Sequence, residues 1–154
     1  MSFETFFLGR EKIKNPFVEK MISASKKIGD KGAGSISMRY GSRIIITSKN
    51  ASLSSLTEND FVEVVDYDAV RNIALVIGMS EPSSAAALHW LIYRREGINA
   101  IISVFDKDIS EPDFDIAMEA LKLLRNSNCI KLKNYGHVSV GKNMEEALEG
   151  LKCL

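Results

Sequence analysis

Two loops rich in serine and glycine are the parts of this sequence best suited to hold a small molecule. The first spans residues 32–35 and precedes a predicted strand, and the second spans residues 81–84 and ends where a helix is predicted to begin. Backbone N–H groups at a helix start and serine hydroxyls can hold a phosphate or a carboxylate. Turns and helix caps use the same residue types, so ordinary local structure is the alternative interpretation.

The first element that must position these loops is a helix that starts near residue 15. Asn15 is suited to cap it and Pro16 to occupy its first position, while the residues that follow place apolar side chains on one face. Gly29 is suited to end it. The flexible loop of residues 31–34 follows and leads into the sheet.

The remaining pattern mixes hairpins with helices. Alternating or β-branched runs predict strands at 35–39, 43–47, 61–65, 71–77, 100–105, 130–133 and 137–140, with turns at 40–42 and 66–68. Capping and periodicity predict helices from Pro82-Ser83-Ser84 to Gly97, from Pro112 to Arg125, and after Asn143. The irregular alternation predicts a mixed sheet with helices on its faces rather than a strictly parallel sheet.

Length and composition indicate one globular domain over residues 1–154. Hydrophobic residues make up 45% and charged residues 26%, which excludes disordered, collagen-like and disulfide-scaffold chains. The net charge of zero argues against a general binder of nucleic acid or of anionic membranes.

The sequence predicts a cytoplasmic protein. Its apolar runs are far shorter than the roughly 20 residues that span a bilayer, and its first residues lack the features of a signal peptide. Cys129 and Cys153 are not spaced as a metal or redox pair, so we expect both to stay reduced. The apolar cluster of Phe3, Phe6, Phe7 and Leu8 is expected to dock on the core or on another chain.

Six groups of short sequence blocks, in order along nearly the whole chain, resemble one known family. They are Gly-Ser-Ile-Ser at 34–37; Ile-Thr at 46–47 with Leu-Thr-Glu-Asn-Asp-Phe at 56–61; Glu-Pro-Ser-Ser at 81–84; Leu-His-Trp-Leu-Ile-Tyr-Arg at 88–94; Ile-Asn-Ala-Ile-Ile at 98–102; and Lys-Asn-Tyr-Gly at 133–136 with Val-Ser-Val-Gly-Lys at 138–142 and Glu-Glu-Ala at 145–147. Together they are similar to the class II aldolase/adducin-head family. The resemblance implies an α/β fold, a three-layer α/β/α sandwich with a mixed central sheet, often assembled as a homo-oligomer with sites between subunits.

The resemblance also implies where catalytic groups would stand. Active members bind zinc through three histidines, and at those places this chain has Ser103, Phe105 and Tyr135; the acidic residue that serves proton transfer is replaced by Ala85. Catalytic zinc needs about three nitrogen, sulfur or carboxylate ligands. We therefore expect no zinc cofactor, no metal ligands and no catalytic residue in these positions.

The family's presumed phosphate corner is better preserved. Ser83 and Ser84 match its serine pair and Gly34 its loop glycine, while Ser35 replaces the usual asparagine and Lys49 lies near a family turn. These five residues are the candidate anion site, for a small phosphorylated or carboxylated ligand. A helix cap that holds no ligand is the alternative.

Other routes to catalysis have weaker support. A lysine could replace the metal as electron sink through a Schiff base, but Lys49, Lys131 and Lys133 are expected to be solvated surface residues. His137 could form a displaced metal site with Asp106 or Cys129, but a catalytic metal needs about three protein ligands and the sequence places only one histidine here. His89 is expected to be a packed or hydrogen-bonded structural residue.

Three hypotheses about function follow. The first is an aldolase-like binding or assembly module without zinc-dependent aldol cleavage. The second is a sugar-phosphate aldolase or epimerase with a rearranged metal site, and the third is a purely structural association domain like the adducin heads. No nucleic-acid or membrane partner is expected.

Overall fold

The chain folds around one eight-stranded mixed sheet with two helices on each face. The computed structural model describes residues 2–29, 33–105 and 112–153. The strands are β1 Glu4–Gly9, β2 Gly34–Tyr40, β3 Arg43–Thr47, β4 Phe61–Asp68, β5 Ile73–Ile77, β6 Ala100–Phe105, β7 Cys129–Leu132 and β8 Gly136–Gly141. The helices are α1 Phe17–Ile28, α2 Ala86–Ile92, α3 Phe114–Leu123 and α4 Met144–Gly150, with short 3-10 turns at Leu53–Ser55 and Leu151–Cys153.

The strand order is β1-β5-β4-β3-β2-β6-β8-β7, and among these described strands β1 and β5 are the one parallel pair. One face of the sheet packs against α2 and α3, and the other packs against α1 and α4. Each face therefore has its own apolar core, with the sheet as the layer between them. The predicted three-layer sandwich with a mixed sheet is confirmed.

Three helices begin just after residues whose side chains cap them, which is why the local sequence predicted their starts well. The side-chain oxygen of Asn15 accepts a hydrogen bond from the Phe17 N–H at 2.9 Å, although α1 itself begins only after Pro16. Asp113 and Asn143 cap α3 and α4 in the same way, each by accepting an N–H at 2.8 Å. Each cap satisfies a backbone donor that has no partner inside the helix.

Three predicted boundaries are wrong. The turn expected at residues 66–68 is part of β4, which continues to Asp68 through a bulge after Val64. Tyr67, just after the bulge, is buried. The turn follows it, where the Asp68 carboxylate accepts the N–H groups of Val70 and Arg71 at 3.0 Å. The helix expected from residue 82 begins at Ala86, and the chain leaves the helix at Ile92 rather than at Gly97.

The apolar N-terminal segment forms β1, an edge strand that the sequence pattern did not predict. It runs parallel to β5, and Phe3 and Phe7 pack against the core of the α2–α3 side. The alternate residues Phe6 and Leu8 remain 59% and 52% exposed. The expectation that this segment docks on the core is thus confirmed for one of its two faces.

Every helix in the described ranges is too short or too polar to cross a bilayer.

Candidate functional site

A chain of buried polar side chains lies between α2 and the sheet. The fully buried His89 contacts Ser37 through Nδ1 and Ser103 through Nε2, with both nitrogen–oxygen distances at 2.7 Å. The Ser37 hydroxyl also lies 2.8 Å from the hydroxyl of Tyr93. Burial lowers the pKa of His89 to about 3, so the ring is neutral near pH 7, with one nitrogen donating and the other accepting. His89 is therefore the hydrogen-bonded structural residue that the sequence predicted.

Ser37 was not predicted as a member of this chain, and the spacing of Tyr93 with Trp90 predicted only a packing role for the tyrosine. Tyr93 lies four residues after His89, which puts the two side chains on the same side of the chain where it leaves α2. Ser37 alternates with the apolar residues of β2, and its polar side chain points at the histidine. The i, i+4 spacing of His89 and Tyr93 was the sequence signal that could have indicated a shared hydrogen-bond partner.

The three positions that the resemblance assigns to zinc lie together but carry no metal-binding chemistry. The Ser103 hydroxyl is held by His89, and the rings of Phe105 and Tyr135 meet edge to face with centroids 5.3 Å apart. Tyr135 is fully buried, and its hydroxyl is the one buried side-chain oxygen or nitrogen in the described residues that lacks a hydrogen-bond partner. Two aromatic rings therefore fill the space where two ligands would stand.

These residues do not fit a zinc ion. A phenyl ring offers no donor atom, and zinc prefers nitrogen, thiolate or carboxylate ligands to a neutral hydroxyl. Burial raises the pKa of the Tyr135 phenol. Both the phenol and the serine thus remain protonated near neutral pH. Ala85, at the position that the resemblance assigns to proton transfer, is buried and apolar.

The displaced metal site is incomplete within the described residues. His137 on β8 pairs with Lys131 on β7, and Cys129 pairs with Ser139. Asp106, the other candidate ligand, lies outside the described residues. Among residues 2–29, 33–105 and 112–153, no three His, Cys, Asp or Glu side chains gather where they could hold a metal ion.

The five predicted anion-site residues separate into two groups. Ser35 and Ser83 are buried and hydrogen-bonded to each other, and the Ser83 hydroxyl also accepts the Ala85 N–H at 3.1 Å. Gly34 lies against β6 so closely that a Cβ there would be 2.2 Å from the Ser103 carbonyl oxygen. The Ser35–Ser83 hydrogen bond thus joins the start of β2 to the segment before α2, and Gly34 allows β2 to approach β6 closely.

Ser84 and Lys49 instead line a small surface pocket of about 170 Å³, together with Thr5 and Glu81. The Lys49 ammonium lies 3.7 Å from the Glu81 carboxylate, and both side chains are about half exposed. Such an exposed pair is weak, so a ligand anion could compete with Glu81 for the lysine. The surface pocket is the part of the predicted corner that is open to a ligand.

The fold and this arrangement of residues can be compared with known proteins. The sequence profile of the class II aldolase and adducin N-terminal domain family matches residues 20–104, more than half of the chain. The chain belongs to this family. An L-fuculose phosphate aldolase of Methanocaldococcus jannaschii is 27% identical over 164 residues, which cover 84% of this chain and 86% of the relative.

Solved structures of the family share the fold. An L-fuculose 1-phosphate aldolase superposes with a TM-score of 0.74 at 18% identity, covering 92% of this chain and 84% of the other. The L-fuculose-1-phosphate aldolase of Thermus thermophilus superposes with a TM-score of 0.64 at 17% identity, covering 86% of this chain and 88% of the other. The class II aldolase fold therefore extends beyond the matched segment to most of this chain.

Proposed function

We propose that this class II aldolase-like protein does not perform zinc-dependent aldol cleavage and acts instead as a binding or assembly module. The observation that carries the proposal is the buried, edge-to-face packing of Phe105 and Tyr135 at two of the three positions where the resemblance places zinc ligands. Ser103, the third, already has its hydroxyl bonded to His89.

The chemistry of aldol cleavage supports this interpretation. Breaking the carbon–carbon bond leaves an enediolate, whose charge a metal stabilises as a Lewis acid or a Schiff-base lysine delocalises. Lys131 and Lys133 are exposed on or next to the edge strand β7, and Lys49 is half exposed beside Glu81. A lysine that is solvated near neutral pH is protonated and is a poor nucleophile.

The surface pocket around Lys49 and Ser84 is the part that we propose binds a small phosphorylated or carboxylated ligand. Within the described ranges, the Lys49 ammonium group is paired with the half-exposed Glu81 carboxylate alone, and Ser84 lines the same pocket. The relatives named as fuculose phosphate aldolases make a sugar phosphate the natural probe.

The test incubates the purified protein with L-fuculose 1-phosphate, with and without added Zn²⁺, and measures both carbon–carbon cleavage and melting temperature. We expect no cleavage, no effect of EDTA on the melting temperature, and stabilisation by the sugar phosphate of about 2.7 kcal/mol at a hundredfold excess over Kd. The Methanocaldococcus jannaschii relative serves as the positive control for cleavage.

Two results would contradict the proposal. Zinc-dependent cleavage that EDTA abolishes would establish the alternative, a sugar-phosphate lyase or epimerase whose metal site is rearranged or completed by a neighbouring subunit. The second is a Lys49→Gln variant whose melting temperature rises with the sugar phosphate as much as that of the wild type. That result would show that the ligand does not bind at the Lys49 pocket. Lys142→Gln, which replaces an exposed lysine outside the pocket, is the control and should respond as the wild type does.

A further inference from the structure

A second pocket, rich in arginine and aromatic side chains, lies at the opposite end of β2 and β3 from the serine corner. It occupies about 270 Å³ beside the turn that joins the two strands and the end of α2. Its lining includes Arg39, Ser42, Arg43, Trp90, Tyr93 and Arg94. None of these residues belongs to the candidate site for the sugar phosphate, so the two pockets can be tested separately.

The pocket concentrates positive charge in a protein whose net charge is zero. It holds three of the seven arginines of the sequence. Only Arg43 forms an ion pair with a described carboxylate, that of Glu63 at 3.3 Å. Arg39 and Arg94 form none with any carboxylate in the part of the chain that the structure describes.

Arg39 is fixed in place without being neutralised. Its guanidinium donates hydrogen bonds to the backbone carbonyl oxygens of Tyr93 and Ile98. It also lies over the Tyr93 ring, 5.1 Å from the centroid. Carbonyl groups and a ring face orient a guanidinium but leave its full charge, so a ligand anion at this pocket meets a cation that is already positioned.

The aromatic side chains add a second element of recognition. Trp90 is half-buried and Tyr93 is buried, and both line the same pocket as the arginines. An indole can stack on a flat ring, while guanidinium groups donate charge-assisted hydrogen bonds to phosphate or carboxylate oxygens. The two features therefore suit different parts of one molecule.

We propose that this pocket binds a small anion that carries a planar ring, with the chemistry of a nucleoside monophosphate. The ring would contact Trp90, and the phosphate would lie between Arg94 and the fixed guanidinium of Arg39. The volume of about 270 Å³ lies just below the range of small-molecule sites, roughly 300–1,000 Å³, so a dinucleotide would not fit.

Trp90 is the sole tryptophan of the chain, so its intrinsic fluorescence reports on this pocket directly. The experiment titrates the protein with adenosine monophosphate and follows tryptophan fluorescence, with calorimetry in parallel. Adenosine tests the ring without the charge, and inorganic phosphate tests the charge without the ring. We expect saturable binding of the monophosphate, with a Kd at least about tenfold lower than for either part alone.

Two matched variants locate the binding site. Arg94→Gln removes an exposed pocket arginine and is expected to weaken monophosphate binding about tenfold or more. Arg71→Gln removes an exposed arginine at the β4–β5 turn, outside the pocket, and should bind as the wild type does. The melting temperature of each variant verifies that it is folded.

The proposal is overturned if calorimetry and fluorescence both show no saturable binding at millimolar monophosphate, if adenosine binds as tightly as the monophosphate, or if Arg94→Gln binds like Arg71→Gln. The probe and the variants differ from those used for the Lys49 pocket. Failure of the sugar phosphate to bind at the Lys49 pocket would therefore leave the result for the arginine pocket unaffected.

Discussion

At the scale of single residues, the buried hydroxyl of Tyr135 is the group that most needs an explanation. A buried polar group without a partner costs about 1–3 kcal/mol relative to one that is satisfied. The ring itself is well packed, in edge contact with Phe105. The tyrosine therefore contributes to stability through its ring and not through its hydroxyl.

Tyr135→Phe is accordingly expected to leave the free energy of unfolding unchanged or to raise it by up to about 1 kcal/mol. Tyr93→Phe is the matched control, because the same change there removes a hydroxyl bonded to Ser37 at 2.8 Å and should cost about 1 kcal/mol. Urea unfolding of both variants measures the difference. A clear loss of stability in Tyr135→Phe would mean that its hydroxyl does have a partner.

The buried His89 makes stability depend on pH. Its folded-state pKa of about 3 lies below the unfolded value near 6.5, so between these values the unfolded chain binds a proton that the folded chain does not. Stability is then lost as the pH falls through 6.5. The loss approaches about 1.4 kcal/mol per pH unit and levels off below pH 3.

From pH 7 to pH 4.5 we expect this one residue to lower the free energy of unfolding by about 2–3 kcal/mol. Comparing urea unfolding of the wild type with His89→Gln at several pH values isolates the contribution, because the carboxylates are common to both. If the variant does not fold, the imidazole NMR signals of the wild type give the answer. A His89 resonance that titrates near pH 6.5 in the folded protein would refute the prediction.

At the scale of elements, close contacts between neighbouring strands determine which residues are tolerated. Gly136, at the start of β8, has a φ of +145°. A Cβ there would lie 2.0 Å from the Val104 carbonyl oxygen on β6. The β6–β8 pairing therefore depends on the missing side chain as well as on the glycine backbone conformation.

Gly136→Ala is expected to lower the free energy of unfolding by about 3 kcal/mol or more, since it adds a clash with backbone to an unfavourable φ. Gly41→Ala provides the control: Gly41 also has a positive φ, +61°, but a Cβ there meets nothing within 4 Å. Its cost should be about 1 kcal/mol. Equal effects of the two substitutions in urea unfolding would contradict the role assigned to the strand contact.

The elements that sequence predicted well are those whose signals are local. The caps Asn15 and Asn143 and the two-residue turn between β2 and β3 are determined by a few neighbouring residues, and these boundaries agree within two residues. The start of α2 and the end of β4 were wrong because a hydrogen bond between Ser35 and Ser83 and a bulge beside Tyr67 involve distant partners. β1 was missed because its strand partner, β5, lies far along the chain.

In the candidate site, too, the features set by residue type were predicted and those set by contacts between distant residues were not. Residue types alone indicated that Phe105 cannot bind metal, and the resemblance placed it with Ser103 and Tyr135. Spacing could not show that Ser35 and Ser83 bond to each other while Ser84 faces a surface pocket with Lys49. Nor did it reveal the arginine pocket, whose residues come from a strand turn and a helix end far apart in sequence.

At the scale of the whole molecule, the exposed face of β1 is the surface that best fits an association between copies of this chain, in line with the assembly part of the proposed function. Phe6 and Leu8 are more than half exposed on an edge strand, whose outer edge could also pair with another strand. An apolar edge of this kind is costly to leave in water. Homo-oligomer formation through β1 would cover it.

We therefore expect the protein to be oligomeric at micromolar concentration and the double variant Phe6→Ser, Leu8→Ser to dissociate at least partly. The control is Phe114→Ser, which replaces a similarly exposed phenylalanine at the start of α3, on a different element. Sedimentation velocity measures the masses. A monomeric wild type, or dissociation of the control in place of the double variant, would show that β1 is not the interface.

The parallel pairing of β1 with β5 also has a consequence for synthesis on the ribosome. Glu4 pairs with Ile73, so the ribosome makes β1 well before its partner strand can emerge from the exit tunnel. During that interval Phe6 and Phe7 have no strand beside them, so the apolar side chains of β1 stay unpaired while more than sixty further residues are made. This edge of the sheet can form only after β5, which ends at Ile77, has been made and has left the exit tunnel.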